Sequence, residues 1–188
     1  MTRQDQLGHV VRTIAAFVWN VHLKRAVAAT GPLPEQNFWR VIDGNFMDIA
    51  VIEWCKLFAS HTEAVHWKNN IPETEHDKFR DGLCGGTGLT SEEWHRYREE
   101  LKRYRDEHVA HFDLGRFQPG KVTYPHFDKA LEACHYYYDR ILAELEKVGI
   151  QHSFPADIRI YCAKLAACET GIARAAIEAT RGIKETAR

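Results

Sequence analysis

Phe127, Leu131, Cys134, Tyr138, Ile141, Leu145 and Val148 follow one another in alternating steps of four and three residues, without a break. Such spacing draws a single apolar seam along a helix and has no counterpart on a pleated strand. A chain with one long seam must supply further helices to cover it, and this one does. Leu7, Val10, Ile14, Phe17 or Val18 and Val21 make a second seam, closed by the breaker Thr30-Gly31-Pro32. Phe38, Ile42, Phe46, Ile49 and Ile52 make a third, with Ala50, Val51, Trp54 and Phe58 on another face of the same helix. That all-round apolarity marks it as the expected central helix, with Gly44 as a tolerated weak point.

Residues 61 to 90 read as a connection carrying a short helix around Glu73 to Arg80, followed by a loop from Asp81 to Gly88. Thr90 and Glu93 have the spacing of a capping box and start a helix with Trp94, Tyr97, Leu101, Tyr104 and His108 on one stripe. That helix is expected to end near Phe112. Ser153 and Pro155 announce a last helix, with Ile158, Tyr161 or Cys162, Leu165, Ile172 and Ala175 facing inward. No alternating strand pattern, repeat or linker interrupts this order. The expected fold is all-α: an antiparallel helical bundle of about five main helices plus one short one, forming a single domain over residues 1–188.

Composition narrows the function classes. A formal net charge of -1 gives no global signature of a nucleic-acid binder, although a local site for a few nucleotides needs none. Five cysteines, an odd number with no CxxC, read as free thiols in a reducing compartment. The N-terminal residues open an amphipathic helix rather than a leader, and the apolar stretch from Phe46 to Phe58 is too short to span a bilayer. Together these point to the cytoplasm.

Chemistry concentrates in Arg105-Asp106-Glu107-His108-Val109-Ala110-His111. Histidine moves protons near neutral pH, and a guanidinium grips a phosphoryl group with paired hydrogen bonds. On an ideal helix Arg105 and His111 flank the apolar stripe roughly 120° apart, so they meet only if the helix end turns or a second copy contributes. His108, near the centre of the stripe, reads as a core histidine. Arg103 with His108 is a competing register, ranked lower. Taken alone, the run reads as a charged helix terminus in which Glu107 pairs with His111 at i,i+4.

Arg105-Asp106, four intervening residues and His111 resemble the signature of the HEPN superfamily. The stretch from Tyr104 to Asp113 is most similar to its abortive-infection branch. The resemblance rests on about nine residues, and an all-helical fold agrees with it over most of the chain. It implies a metal-independent endoribonuclease or RNA-binding module of phage defence or a toxin–antitoxin system. Such a protein acts as a homodimer with two motifs lining a shared cleft and has a cognate antitoxin as partner. By that resemblance His111 assists proton transfer, Arg105 stabilises phosphoryl charge and Asp106 orients Arg105, with no cofactor. The products are a 2′,3′-cyclic phosphate and a 5′-hydroxyl. Asp113 stands where some relatives have a modifiable tyrosine, so that regulation is not carried over.

Lys102, Arg103 and Tyr104 add a small basic cluster with an aromatic, suited to phosphate contact and base stacking. In the run Tyr136-Tyr137-Tyr138, Tyr138 fits the core and Tyr136 or Tyr137 is expected outside as a dimer contact. The alternative reading is a non-catalytic helical interaction module, in which Arg105 and His111 only cap a helix. A metal-binding bundle similar to the DinB-like family ranks lower still. No two of the eleven histidines stand at i,i+4, and only His108 and His111 stand at i,i+3.

Overall fold

The computed structural model describes residues 2–109 and 124–184 of the chain, and all regular structure among them is helical. Six α-helices run in the order α1 (Arg3–Ala28), α2 (Asn37–Phe58), α3 (His76–Thr87), α4 (Ser91–Tyr104), α5 (Asp128–Lys147) and α6 (Ile158–Thr180). Short 3₁₀ turns at Trp67–Asn69 and Glu73–Glu75 link α2 to α3. The all-α bundle is therefore the fold.

Local chemistry sets the helix starts. Thr2 and Asp5 satisfy each other's backbone amides at the head of α1, and Thr90 and Glu93 do the same for α4. The Asp157 carboxylate accepts from the amides of Arg159 and Ile160, so α6 begins three residues beyond Pro155 rather than at Ser153.

Lys24 on α1 bonds Asp43 on α2, while Val27 and Trp39 share one apolar cluster, so α2 runs back along α1. Helix α1 touches α2, α5 and α6, which makes it the central element in place of α2. The reason lies in which side of α2 is covered. Its core residues are Met47, Ala50, Val51, Trp54, Cys55, Leu57 and Phe58, whereas Phe38 and Ile49 of the expected seam are exposed. In a helix apolar all round, periodicity cannot choose the buried side. The aromatic partners of Trp54 choose it: Phe58, Trp94 and Tyr97 lie with ring centroids 5.1, 5.7 and 5.9 Å away. This nest lays α4 across α2. The Tyr97 hydroxyl then donates to the His126 carbonyl (2.6 Å) and accepts from the Ala130 amide (3.1 Å), fastening the start of α5.

The α5 seam packs as its spacing requires, with all of its residues buried except Val148, which lies beyond the helix end. All three tyrosines of the run turn inward. Tyr137 and Tyr138 are fully buried, with hydroxyls donating to the carbonyls of Val65 and Pro155, and Tyr136 packs on Phe79. None serves as the exposed ring expected from the sequence.

The stretch Asp81–Thr87 is helix, not loop, and closes at Gly88 in the left-handed conformation (φ 66°) with the Leu89 amide on the Cys84 carbonyl. Gly82 serves close packing, because a Cβ there would sit 2.6 Å from Cζ of Tyr136. Gly82→Ala is expected to lower stability, since overlap with a packed ring costs about 1–3 kcal/mol against a helix-propensity gain of about 1 kcal/mol. Gly85, with nothing within 4 Å of its built Cβ, should gain from the same change. Urea denaturation of the two variants checks the opposite signs.

On α6 only Ile158, Cys162 and Ile177 are buried, so of Tyr161 or Cys162 it is the cysteine that turns inward, while Ile172 and Ala175, expected inside, are exposed. Alanine removes little apolar area from water whichever way it points, so this alanine-rich helix carries too weak a pattern to define a face. No helix among the described residues is long and apolar enough to cross a membrane.

Candidate functional site: the turn at the end of α4

Helix α4 is held against α2 by Leu101 and Tyr104, both buried. The Tyr104 hydroxyl donates to Asp48 Oδ1 on α2 (3.3 Å). Burial pushes the Asp48 carboxyl pKa above the ordinary range, partly offset by that hydrogen bond and by Lys24. Beyond Tyr104 the helix widens into one π turn, Arg105–Val109. Such turns are rare and recur at functional sites, because they displace side chains from the α-helical register.

The turn carries Arg105 towards the end of α2. Its Nε and Nη2 both lie on Asp106 Oδ1, at 2.8 and 2.6 Å, and its Nη1 donates to Ser60 Oγ at 2.8 Å. The Ser60 amide is itself fixed on the Cys55 carbonyl (2.9 Å). A guanidinium has five N–H donors. Among the described residues these contacts engage three of them, and the side chain keeps 21% of its exposure. Asp106, the carboxylate expected to orient Arg105, does touch it.

Cys55 lies behind the arginine and is buried. Desolvation pushes its thiol up to about 12 in spite of Arg105, so it stays protonated and is no nucleophile near neutral pH. His108 is half-buried rather than in the core, its ring 5.1 Å from that of Tyr104.

The other expected contact residues divide. Lys102 faces Glu99 (3.8 Å), and Arg103 is exposed in a shallow groove shared with His95, Arg96 and Lys129, which Arg105 does not line. Tyr104 has only 7% of its surface exposed, so it offers no face to a base. Among the described residues, Tyr124, 6.2 Å from it and 60% exposed, is an open aromatic ring of this region. His111 falls within 110–123 and lies outside the described residues. Among the described residues no three His, Cys, Asp or Glu side chains converge as a metal site would require.

Ser60, Cys55 and Asp48 were not legible as site residues. They approach only through the packing of α2 on α4, and nothing local in the sequence marks them. The chain matches no protein-family model, no curated protein and no solved structure.

Proposed function

We propose that this chain is a HEPN-type RNA-handling module, a metal-independent endoribonuclease or RNA-binding protein acting as a homodimer in phage defence or a toxin–antitoxin pair. The observation that carries the reading is Arg105, braced by Asp106 and Ser60 at a π turn with 21% of its side chain open to a ligand. In this reading a 2′-hydroxyl oxygen attacks the adjoining phosphorus and the bond to the 5′ oxygen breaks. His111 handles the proton, and Arg105 stabilises the charge on the phosphoryl oxygens. Tyr124 supplies a stacking surface in place of Tyr104.

A second reading is supported by the same contacts. An arginine already paired with its own neighbour, and mostly covered, suits a helix-end brace in a non-catalytic interaction module. Incubating purified protein with single-stranded RNA in chelator separates the two. The nuclease reading expects 2′,3′-cyclic phosphate ends from wild type, and none from a His111→Ala variant of unchanged helicity. Cleavage by that variant at the full rate would overturn it.

A further inference from the structure

We infer that the cleft between α1, α5 and α6 binds phosphate, either the free ion or the phosphate group of a small ester. His135 and His22 line its inner side, and Arg25 and Arg159 stand at its mouth. The inference goes beyond the RNA reading and does not depend on it, because Arg105 does not line this cleft.

His135 is the group without a partner. It is 8% exposed, both ring nitrogens are shut off from water, and neither has a hydrogen-bond partner among the described residues. Glu132, one turn earlier on α5, stops 3.7 Å from its Nδ1, too far for a hydrogen bond. A buried polar group left in this way is costly, and such groups mark places where a water, ion or ligand completes the structure. His135 lines a cavity of about 310 Å³ walled by Leu131 and Cys162. That is the volume of about ten waters, enough for a phosphate carrying a short organic stem.

The charges around the cavity favour an anion. Burial foremost, then the charges of Arg25 and His135, lowers the His22 pKa. Burial foremost, then Arg159, lowers that of His135, with Glu132 and Asp139 opposing. Both rings are therefore neutral near pH 7, and each has one N–H to donate. Arg25 and Arg159 are tied at one nitrogen each to Asp128 and Asp139, and their side chains stay 47 and 44% exposed. Lys129 turns its ammonium to the Thr87 carbonyl. The Cys162 thiol, pushed up to about 11 by burial and then by Asp157, is neutral. With Asp128 held by Arg25, Glu132 is the lining carboxylate that opposes an anion. Among the described residues the imidazoles, thiol and carboxylates do not converge as a metal site requires. The donors come from three helices and so from three directions. That suits the tetrahedral oxygens of phosphate better than the two coplanar oxygens of a carboxylate.

Calorimetric titration of the full chain with inorganic phosphate and with glycerol phosphate, at constant ionic strength, should show one saturable site of about millimolar Kd or tighter. Tighter binding of the ester assigns the cleft to an ester, and equal binding assigns it to the free ion. Arg159→Ala and His135→Leu should each weaken binding about tenfold or more, and Glu132→Gln should tighten it severalfold. Arg159→Ala, a surface change, reads the site even where His135→Leu perturbs folding. No saturable binding of either probe, binding undiminished in Arg159→Ala, weaker binding by Glu132→Gln, or acetate bound as tightly as phosphate would each overturn the inference. Since neither RNA nor Arg105 takes part, the RNA reading survives any of these results.

Discussion

On the nuclease reading, Arg105→Ala is expected to lower RNA cleavage by about 10²–10³-fold, the usual cost of removing one donor to developing charge. Folding should be nearly untouched. The side chain truncated is a mostly covered guanidinium whose partners have somewhere to go: Asp106 is 46% exposed and rehydrates, and Ser60 is half-buried. The stability loss should stay at about 1 kcal/mol or less, the scale of a partly exposed ion pair and one neutral hydrogen bond. Arg105→Lys tests the fork rather than the charge. A single ammonium cannot hold Asp106 Oδ1 and Ser60 Oγ and still present a coplanar fork to a phosphoryl group, so most of the loss should persist. Single-turnover cleavage of a short labelled RNA, read beside a thermal melt of each variant, separates the two effects. Unchanged cleavage by a well-folded Arg105→Ala protein would leave the helix-end brace as the better account of this residue.

What was legible before the structure followed from how local each determinant is. The α5 seam and the Thr90–Glu93 box depend on spacing within one helix, and both form as read. The glycines from Gly82 to Gly86 misled because they lie inside α3, and at Gly82 a long-range contact overrides propensity. Only the arrival of Tyr136 from α5 explains a glycine in mid-helix. Helix α2 offered two apolar faces, and α1 with the aromatic nest picked one. The site shows the same division. Arg105 and Asp106 are sequence neighbours, so their pairing was readable. The widening to a π turn and the arrival of Ser60 were not. Tyr104 was misjudged because a tyrosine on the inner stripe serves packing equally well, and its hydroxyl found Asp48.

Acid should weaken this fold between about pH 6.5 and 4, through His66. The residue is 2% exposed, and its Nδ1 accepts the Lys68 amide (3.2 Å) where it caps the first 3₁₀ turn. A nitrogen that accepts carries no proton, and burial disfavours the charged ring. Desolvation foremost, with the Lys68 charge adding to it and a hydrogen bond to Phe58 opposing it, lowers the pKa to about 4. An unfolded histidine titrates near 6.5. Between those values the unfolded chain binds a proton that the folded chain refuses, so unfolding becomes easier as pH falls. Above about 6.5 the contribution is complete, and below about 4 nothing more is lost from this group. The full span amounts to about 3 kcal/mol, a large part of a typical folding free energy. His22 and His135, lowered chiefly by burial, act in the same direction. The capping carboxylates Asp5 and Glu93 are lowered by their threonine partners, so their loss falls in the more acidic carboxylate range. His66→Asn keeps an acceptor for the Lys68 amide and cannot titrate. It should be less stable than wild type at pH 7.5, yet lose about 2 kcal/mol less on going to pH 5. Urea midpoints at half-unit pH steps measure both slopes, and parallel curves would assign the acid sensitivity to other groups.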